Sequence, residues 1–317
     1  MSQQYARPLN SPELVENFLA NALNFSHKNL KKIIPKIVDG EIGVANIAKS
    51  PQTLTSTNYR TKAYRDELVR WELRKKIITE LSTQKRPSSD DKIRLNYGGA
   101  LPTTPVKSKK QAFILIGPPA SGKSGIAEKI ADSHGSVIID SDYAKRKLPE
   151  FHEFPYGASL VHEESSAITY GLDNVYNPDN VKSLYEVCLD KNYNLIIPKI
   201  GNNSSSILSL AETLKDKRGY DVHLILVALS KRKATIRAIF RFYETKRYVP
   251  LSLIFDGYGN DSWLTYFYLR CKYESIFKSF GAISTDVNRG EEGIGFDVVG
   301  RSPVLKFKFE EVKLLWQ

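Results

Sequence analysis

The chain has 317 residues, 41% of them hydrophobic, with 46 Lys and Arg against 35 Asp and Glu, a formal net charge of +11 at pH 7. Its two cysteines, Cys188 and Cys271, exclude a disulfide framework and a zinc-binding spacing, so a reducing compartment is expected. No apolar run approaches the ~20 residues of a membrane span, and the opening MSQQYARPLN lacks the charged-then-apolar order of a secretory signal. The expected location is the cytoplasm, with delivery into a host cell by a dedicated secretion machine left open. The length suits one large domain or two ordinary ones, and the basic balance favours anionic partners such as nucleotides, nucleic acid or an acidic protein.

In chain order, Ser11 is a good N-cap and Pro12 a good first helical residue, and Leu14, Phe18, Leu19 and Leu23 supply an apolar face. A second helix, short and lysine-rich, is expected over residues 29–38, interrupted by Pro35. Residues 46–58 are polar and read as loop. A longer amphipathic helix is predicted over 60–81, with Leu68, Trp71, Ile77, Ile78 and Leu81 apolar and Arg60, Lys62, Arg65, Arg70, Arg74, Lys75 and Lys76 on the other face. Bases interleaved with Tyr59, Tyr64 and Trp71 are one signature of nucleic-acid binding. A solvated basic face with core aromatics is the preferred reading. Residues 82–110 are rich in Ser, Pro, Gly and Thr and read as a linker. The expected organisation is a helical region at 1–85, a linker at 86–110 and an α/β domain at 111–317.

That domain opens on the most informative stretch. Gln111 and the apolar run Ala112-Phe113-Ile114-Leu115-Ile116 read as a buried strand entering GPPASGKS, a complete G-x-x-x-x-G-K-S phosphate loop, and Ala127, Ile130 and Ala131 follow at helical spacing. Glycine lets successive backbone N–H groups face inward on anionic oxygens, and the following helix points its positive end at them. Gly117, Ala120, Ser121, Gly122, Lys123 and Ser124 are therefore the candidate groups for the phosphates of ATP or GTP, Lys123 as a point charge and Ser124 as a ligand of Mg²⁺.

A second strand, 136–140, ends in Asp140-Ser141-Asp142. In an open parallel sheet ligands bind beyond the carboxyl ends of strands. A carboxylate there accepts a hydrogen bond from a substrate hydroxyl, serves as base, or holds Mg²⁺ through water; the alternative is an N-cap of the next helix, a reading that suits Asp140 better than Asp142. Helices are expected over 159–170, 178–191, 207–214, 231–245 and 263–277, and strands over 194–198, 221–229 and 282–287. Within 159–170, His162, Glu163 and Glu164 are consecutive and cannot share one helix face. The helix at 231–245 carries Arg237 and Arg241, placed to cover a triphosphate. Residues 290–300 read as a Gly-rich turn and 304–309 as an edge strand.

Taken together, GPPASGKS, VIIDSDYAKRKLPEF, VHEESS and RFYETKRYVP resemble the zeta-toxin family of phosphotransferases, over about residues 111–250. The resemblance implies a P-loop kinase fold: a three-layer α/β sandwich with a mostly parallel sheet, here preceded by a helical region. It also implies transfer of the γ-phosphoryl of ATP, with Mg²⁺, to a ribose or sugar hydroxyl of a nucleotide-type molecule. On this basis Asp142 is the base toward the substrate hydroxyl, Glu164 is a substrate-side carboxylate and Arg247 is the second phosphate-binding arginine. The first is Arg237 or Arg241, with Arg241 preferred.

Founding members of that family phosphorylate UDP-N-acetylglucosamine and carry Glu-Gly-Thr-Gly-Arg after the third strand. This chain has Pro198-Lys199-Ile200-Gly201-Asn202 instead. Losing a carboxylate, a hydroxyl and a guanidinium argues against the same acceptor. The subgroup resembled is that of bacterial effectors that phosphorylate NAD on its adenosine ribose, with Lys199 and Asn202, beside Asp140, as candidate acceptor contacts. An antitoxin or chaperone is the protein partner that such a kinase implies. A polynucleotide kinase and a nucleotide-gated binding module are the rival readings.

Overall fold

The computed structural model describes residues 6–27, 30–48, 52–153, 156–173, 175–245, 248–288 and 290–309. The sheet is built around β1 (Gln111–Ile116), whose residues 112–116 are all buried. Such an unbroken apolar run is what a strand covered on both faces requires. β2 (Ser136–Ile138), β3 (Asn194–Lys199), β4 (Asp221–Ala228) and β5 (Ser279–Ser284) run parallel to it, and β6 (Ile294–Val299) closes one edge antiparallel to β5. The strand order is β2-β3-β1-β4-β5-β6, with Ala112 opposite Leu195 on one side and Val222 on the other. The strand that enters the phosphate loop is thus internal, flanked by β3 and β4.

Eleven α-helices occur among the described residues: α1 (Pro12–Asn17), α2 (Leu30–Ala48), α3 (Glu67–Thr83), α4 (Lys123–His134), α5 (Ser141–Lys147), α6 (Gly157–Leu160), α7 (His162–Tyr170), α8 (Leu184–Asp190), α9 (Ser204–Glu212), α10 (Lys231–Thr245) and α11 (Asp261–Lys272). Two cores hold them. The larger joins the sheet to Ile126 and Ile130 of α4, Tyr143 and Ala144 of α5, Tyr266 of α11, and Trp71, Ile77 and Leu81 of α3. The smaller joins Val15, Phe18, Leu19, Ile33 and Ile37 to Ala234, Ala238 and Ile239 of α10. None of these helices is long and apolar enough to cross a membrane.

The expected α/β architecture with a mostly parallel sheet is present. Several boundaries differ, each for a physical reason. α2 runs through Pro35 to Ala48 rather than stopping near 38. A proline inside a helix costs about 3 kcal/mol; burial of Ile33, Ile34, Ile37 and Val38 offsets it. The helix predicted from residue 60 begins at Glu67, because the Asp66 carboxylate accepts from the Leu68 and Val69 N–H groups at 2.9 and 3.0 Å and caps it there. Its basic face is not solvated throughout, since Arg70 and Arg74 are fully buried. The helix expected over 178–191 is confined to Leu184–Asp190 by a capping box of Ser183 and Glu186. The helix expected over 159–170 breaks at Val161. The Gly-rich turn contains β6, whose Phe296 packs on the ring of Trp263. The supposed edge strand at 304–309 is instead a 3-10 turn, Pro303–Lys306, followed by an isolated bridge at Phe309.

Candidate active site

The loop after β1 is tight because its neighbours are close. The Gly117 N–H donates to the Ile200 carbonyl at 3.1 Å, and a Cβ at Gly117 would lie 2.5 Å from the Val227 carbonyl oxygen. Gly122 has φ +84°, a conformation glycine adopts without strain, and Ala120 has φ +61°. The loop leads directly into α4, so Lys123 and Ser124 are its first two residues. Ser124 is exposed. Ser121 is buried and its hydroxyl has no partner, while its carbonyl accepts from the Thr285 hydroxyl at 2.7 Å. The Lys123 ammonium folds back to donate to the Gly117 and Pro118 carbonyls, both at 2.7 Å. Burial pushes the Lys123 pKa down to about 8; Asp140 and Asp142 oppose the shift and Arg241 adds to it.

Those same four charges define the mouth of the loop. Asp140 caps α5, its carboxylate accepting from the Asp142 N–H at 2.9 Å. Burial, then the neighbouring charge of Asp142, raises the Asp140 pKa to about 6. For Asp142 burial also acts upward, but Lys145, Arg146 and Arg241 outweigh it and hold the carboxyl below its usual range. Lys145 donates to Asp142 at 2.8 Å, and the Asp142 side chain is 48% exposed, so the carboxylate is held by a neighbour yet remains accessible.

Lys199, at the end of β3, sits with its ammonium 3.8 Å from the centre of the Tyr170 ring. Burial lowers its pKa and the charge of Asp140 opposes that. The Tyr170 hydroxyl is fixed by donation to the Ile139 carbonyl at 3.0 Å. Asn202 is exposed in the loop beyond.

On the other flank, Arg237 donates to the Thr285 and Val287 carbonyls at 2.7 and 3.3 Å. It lines a cavity of about 620 Å³ with Ile236, Phe240, Val287 and Asn288. Arg237 links this cavity to the phosphate loop through Thr285, whose carbonyl it binds and whose hydroxyl donates to the Ser121 carbonyl. Arg241, one turn further along α10, lies within electrostatic reach of both Lys123 and Asp142. Arg247 lies outside the described residues.

Glu164 departs from expectation. It is fully buried, and its two oxygens accept from Arg70 at 2.8 and 2.6 Å and from Arg74 at 2.7 Å. Burial alone would raise its pKa, but Arg70 and Arg74 bring it down to about 2. It is a structural anion between α3 and α7, where an acceptor-side carboxylate was expected. Lys145, Tyr170 and Thr285 are the site neighbours that sequence patterns did not single out. Lys145 stands in the quoted DSDYAKRKLPEF run, but nothing local marks Tyr170 or Thr285.

A tight loop running from β1 straight into α4, a folded-back lysine, an orphaned buried hydroxyl and an aspartate pair beyond a strand end fit a P-loop phosphotransferase. The chain belongs to the zeta toxin family, whose model matches residues 96–259, a family of ATP-using kinases. Solved structures with similarity include one from the PezAT chromosomal toxin–antitoxin system of Streptococcus pneumoniae, 19% identical over 68% of this chain and 78% of that one, with a TM-score of 0.45. AvrRxo1-ORF1:-ORF2 with ATP is 14% identical over 95% of this chain and 74% of that one, at 0.41. A putative kinase from Chloroflexus aurantiacus is 16% identical over 46% and 75%, at 0.35. No curated protein matches.

Proposed function

We propose that this enzyme transfers the γ-phosphoryl group of ATP to a ribose or sugar hydroxyl of a nucleotide-type acceptor, with NAD, at its adenosine ribose 3′-hydroxyl, the favoured one. The observation that carries the reading is the loop itself, in which the Lys123 ammonium folds back on the Gly117 and Pro118 carbonyls and the buried Ser121 hydroxyl lacks a partner, with Asp142 and Arg241 within electrostatic reach of Lys123.

The residues fit the donor. Loop amides and the unpartnered Ser121 hydroxyl receive phosphate oxygens, and Lys123 exchanges its two carbonyl partners for the β- and γ-phosphates. The cavity beside Arg237 takes the nucleoside, its guanidinium and the Phe240 ring offering flat faces to a base. Mg²⁺, when bound, neutralises charge on the phosphates; Ser124 would hold it, with Asp142 reaching it through water. Asp142 accepts the hydrogen bond of the acceptor hydroxyl and aims its oxygen at the γ-phosphorus. A depressed pKa suits that orienting role, since phosphoryl transfer with a loose transition state needs little proton removal before bond formation. Arg241, with Arg247 in the expected second position, neutralises charge that develops in transfer. Lys199, Asn202 and Asp140 line the acceptor side. A lysine beside the acceptor suits a pyrophosphate, and the absent Glu, Thr and Arg argue against UDP-N-acetylglucosamine.

The polynucleotide-kinase alternative loses its main support, because Arg60, Arg70 and Arg74 are engaged in ion pairs inside the protein. A kinase that depletes a vital metabolite needs restraint where it is made, so an antitoxin or chaperone partner belongs to the proposal, as does action in the cytoplasm of a producing or host cell. The test is incubation with ATP, Mg²⁺ and a pool of NAD, UDP-N-acetylglucosamine and nucleosides, followed by mass spectrometry. NAD is expected to gain one phosphate, and Asp142→Asn is expected to slow transfer ~10²–10⁴-fold. If no acceptor gains phosphate, or the Asn variant works as well, the proposal fails.

A further inference from the structure

Residues 80–104 were expected to form the end of a helix and a linker. They are tied instead to both catalytic helices. On the side of α4, Arg86 pairs with Asp132 and reaches Glu128 at 3.6 Å, the Thr103 N–H donates to Asp132 at 2.8 Å, and the Thr104 hydroxyl donates to the Asp132 carbonyl at 2.7 Å. On the side of α5 the ties are denser. Tyr143 donates to Asp90 at 2.7 Å, and Arg146 donates to Asp91 at 3.2 Å. Lys147 donates to Glu80 at 2.6 Å and to the Arg94 carbonyl at 3.0 Å. Tyr143, Arg146 and Lys147 are all buried, so three of the seven residues of α5 turn polar groups inward onto this strap.

A helix of two turns has little stability of its own, and its orientation comes from what it packs against. α5 carries Asp142 in its first turn and α4 carries Lys123 in its first turn. The strap holds both, and Glu80, Asp90, Asp91 and Arg94 all precede the residues matched by the zeta toxin model. We infer that the strap 80–104 is a positioning element for phosphoryl transfer: the pairs Tyr143–Asp90 and Lys147–Glu80 set the place of the Asp142 carboxylate relative to the phosphate loop. This rests on the reading of Asp142 as the residue that aims the acceptor hydroxyl. An orienting carboxylate loses its effect through displacements of about 1 Å, so a clamp of this kind acts on turnover more than on binding.

The test uses the full-length chain and the variants Tyr143→Phe, Asp90→Asn and Glu80→Gln. The first deletes only a hydroxyl; Asp90→Asn keeps an oxygen for the neutral Tyr143 hydroxyl and serves as the conservative control, whereas Glu80→Gln removes the negative charge paired with the buried Lys147 ammonium. Amide hydrogen exchange needs no acceptor. Tyr143→Phe and Glu80→Gln are expected to speed exchange within residues 143–148 by roughly fivefold, the equivalent of one net hydrogen bond, with the first two turns of α4 unchanged. With ATP and NAD, the same variants are expected to lower kcat by ~10-fold with KM for ATP unchanged, while Asp90→Asn stays near the parent. Unchanged exchange in α5 overturns the clamp whatever the acceptor is. Faster exchange with unchanged kcat overturns the positioning role. If the parent does not phosphorylate NAD, the acceptor reading has failed separately, and ATP hydrolysis to water then supplies the kcat by which the same comparison is judged.

Discussion

Replacing Glu164 by alanine separates a structural anion from a substrate contact. The carboxylate sits at zero side-chain exposure and takes three donated hydrogen bonds, two from Arg70 and one from Arg74. Without it Arg70 retains Glu150 and Arg74 retains Glu67, but each guanidinium keeps buried N–H groups with nothing to receive them. Removing one partner of a buried ion pair costs about 3–5 kcal/mol. The pKa gives a second route: the drop from an ordinary 4.5 to about 2 corresponds to ~3 kcal/mol. Taking ~2–4 °C per kcal/mol for a domain somewhat smaller than this chain, Glu164→Ala is expected to lower Tm by roughly 6–20 °C. Because the folded pKa is depressed, this contribution is present above pH 4.5 and lost as pH falls toward 2. The assay is thermal unfolding at pH 7, with KM for the acceptor measured well below the variant's Tm. A variant with the parent's Tm and a raised acceptor KM would refute the structural assignment and restore the substrate-side role.

Lys123→Met is expected to reduce kcat/KM for ATP by at least ~10², the scale of one preorganised electrostatic contact, and in the parent KM for ATP is expected to climb above pH 8 as the ammonium of the free enzyme loses its proton. His223 lies buried between the Phe113 ring and bonds to Ser279 and Gln111, and burial pushes its pKa from 6.5 down to about 4. The unfolded chain therefore binds the extra proton first, so stability is full above pH 6.5 and falls by up to ~3 kcal/mol on the way to pH 4; denaturant midpoints for the parent and His223→Gln across that range check it. Burial, then the charge of Asp90, raises the Glu128 pKa from 4.5 to about 7. Its sign is the opposite: stability is lost as pH rises through 7, so Glu128→Gln is expected to gain ~1–2 kcal/mol over the parent at pH 8 and nothing below pH 4.5, read as the difference in Tm.

Much of this molecule was legible in the chain because the relevant physics is local. The run at 112–116, the glycines that follow and the periodic Ala127, Ile130 and Ala131 specify strand, loop and helix within about twenty residues. Ser11 and Pro12 start α1, and the bounds of α10 fall where its pattern begins and ends. Tertiary structure alone decided where the charges went. A stripe of arginines on α3 carries the same pattern whether it faces water or carboxylates 80 to 94 residues away, and only the docking of α7 and the Glu150 turn buries Arg70. The same holds for Pro35, tolerated because its helix is buried in a core shared with α1 and α10, which lie before it and far after it in the chain. It holds for β6, which alternates too weakly to be read until β5 offers an edge. It holds for the polar strap at 80–104, whose partners on α4 and α5 lie tens of residues further along the chain. Periodicity and capping report what a residue does to its neighbours in sequence; burial of a charge depends on a partner that only the folded chain delivers.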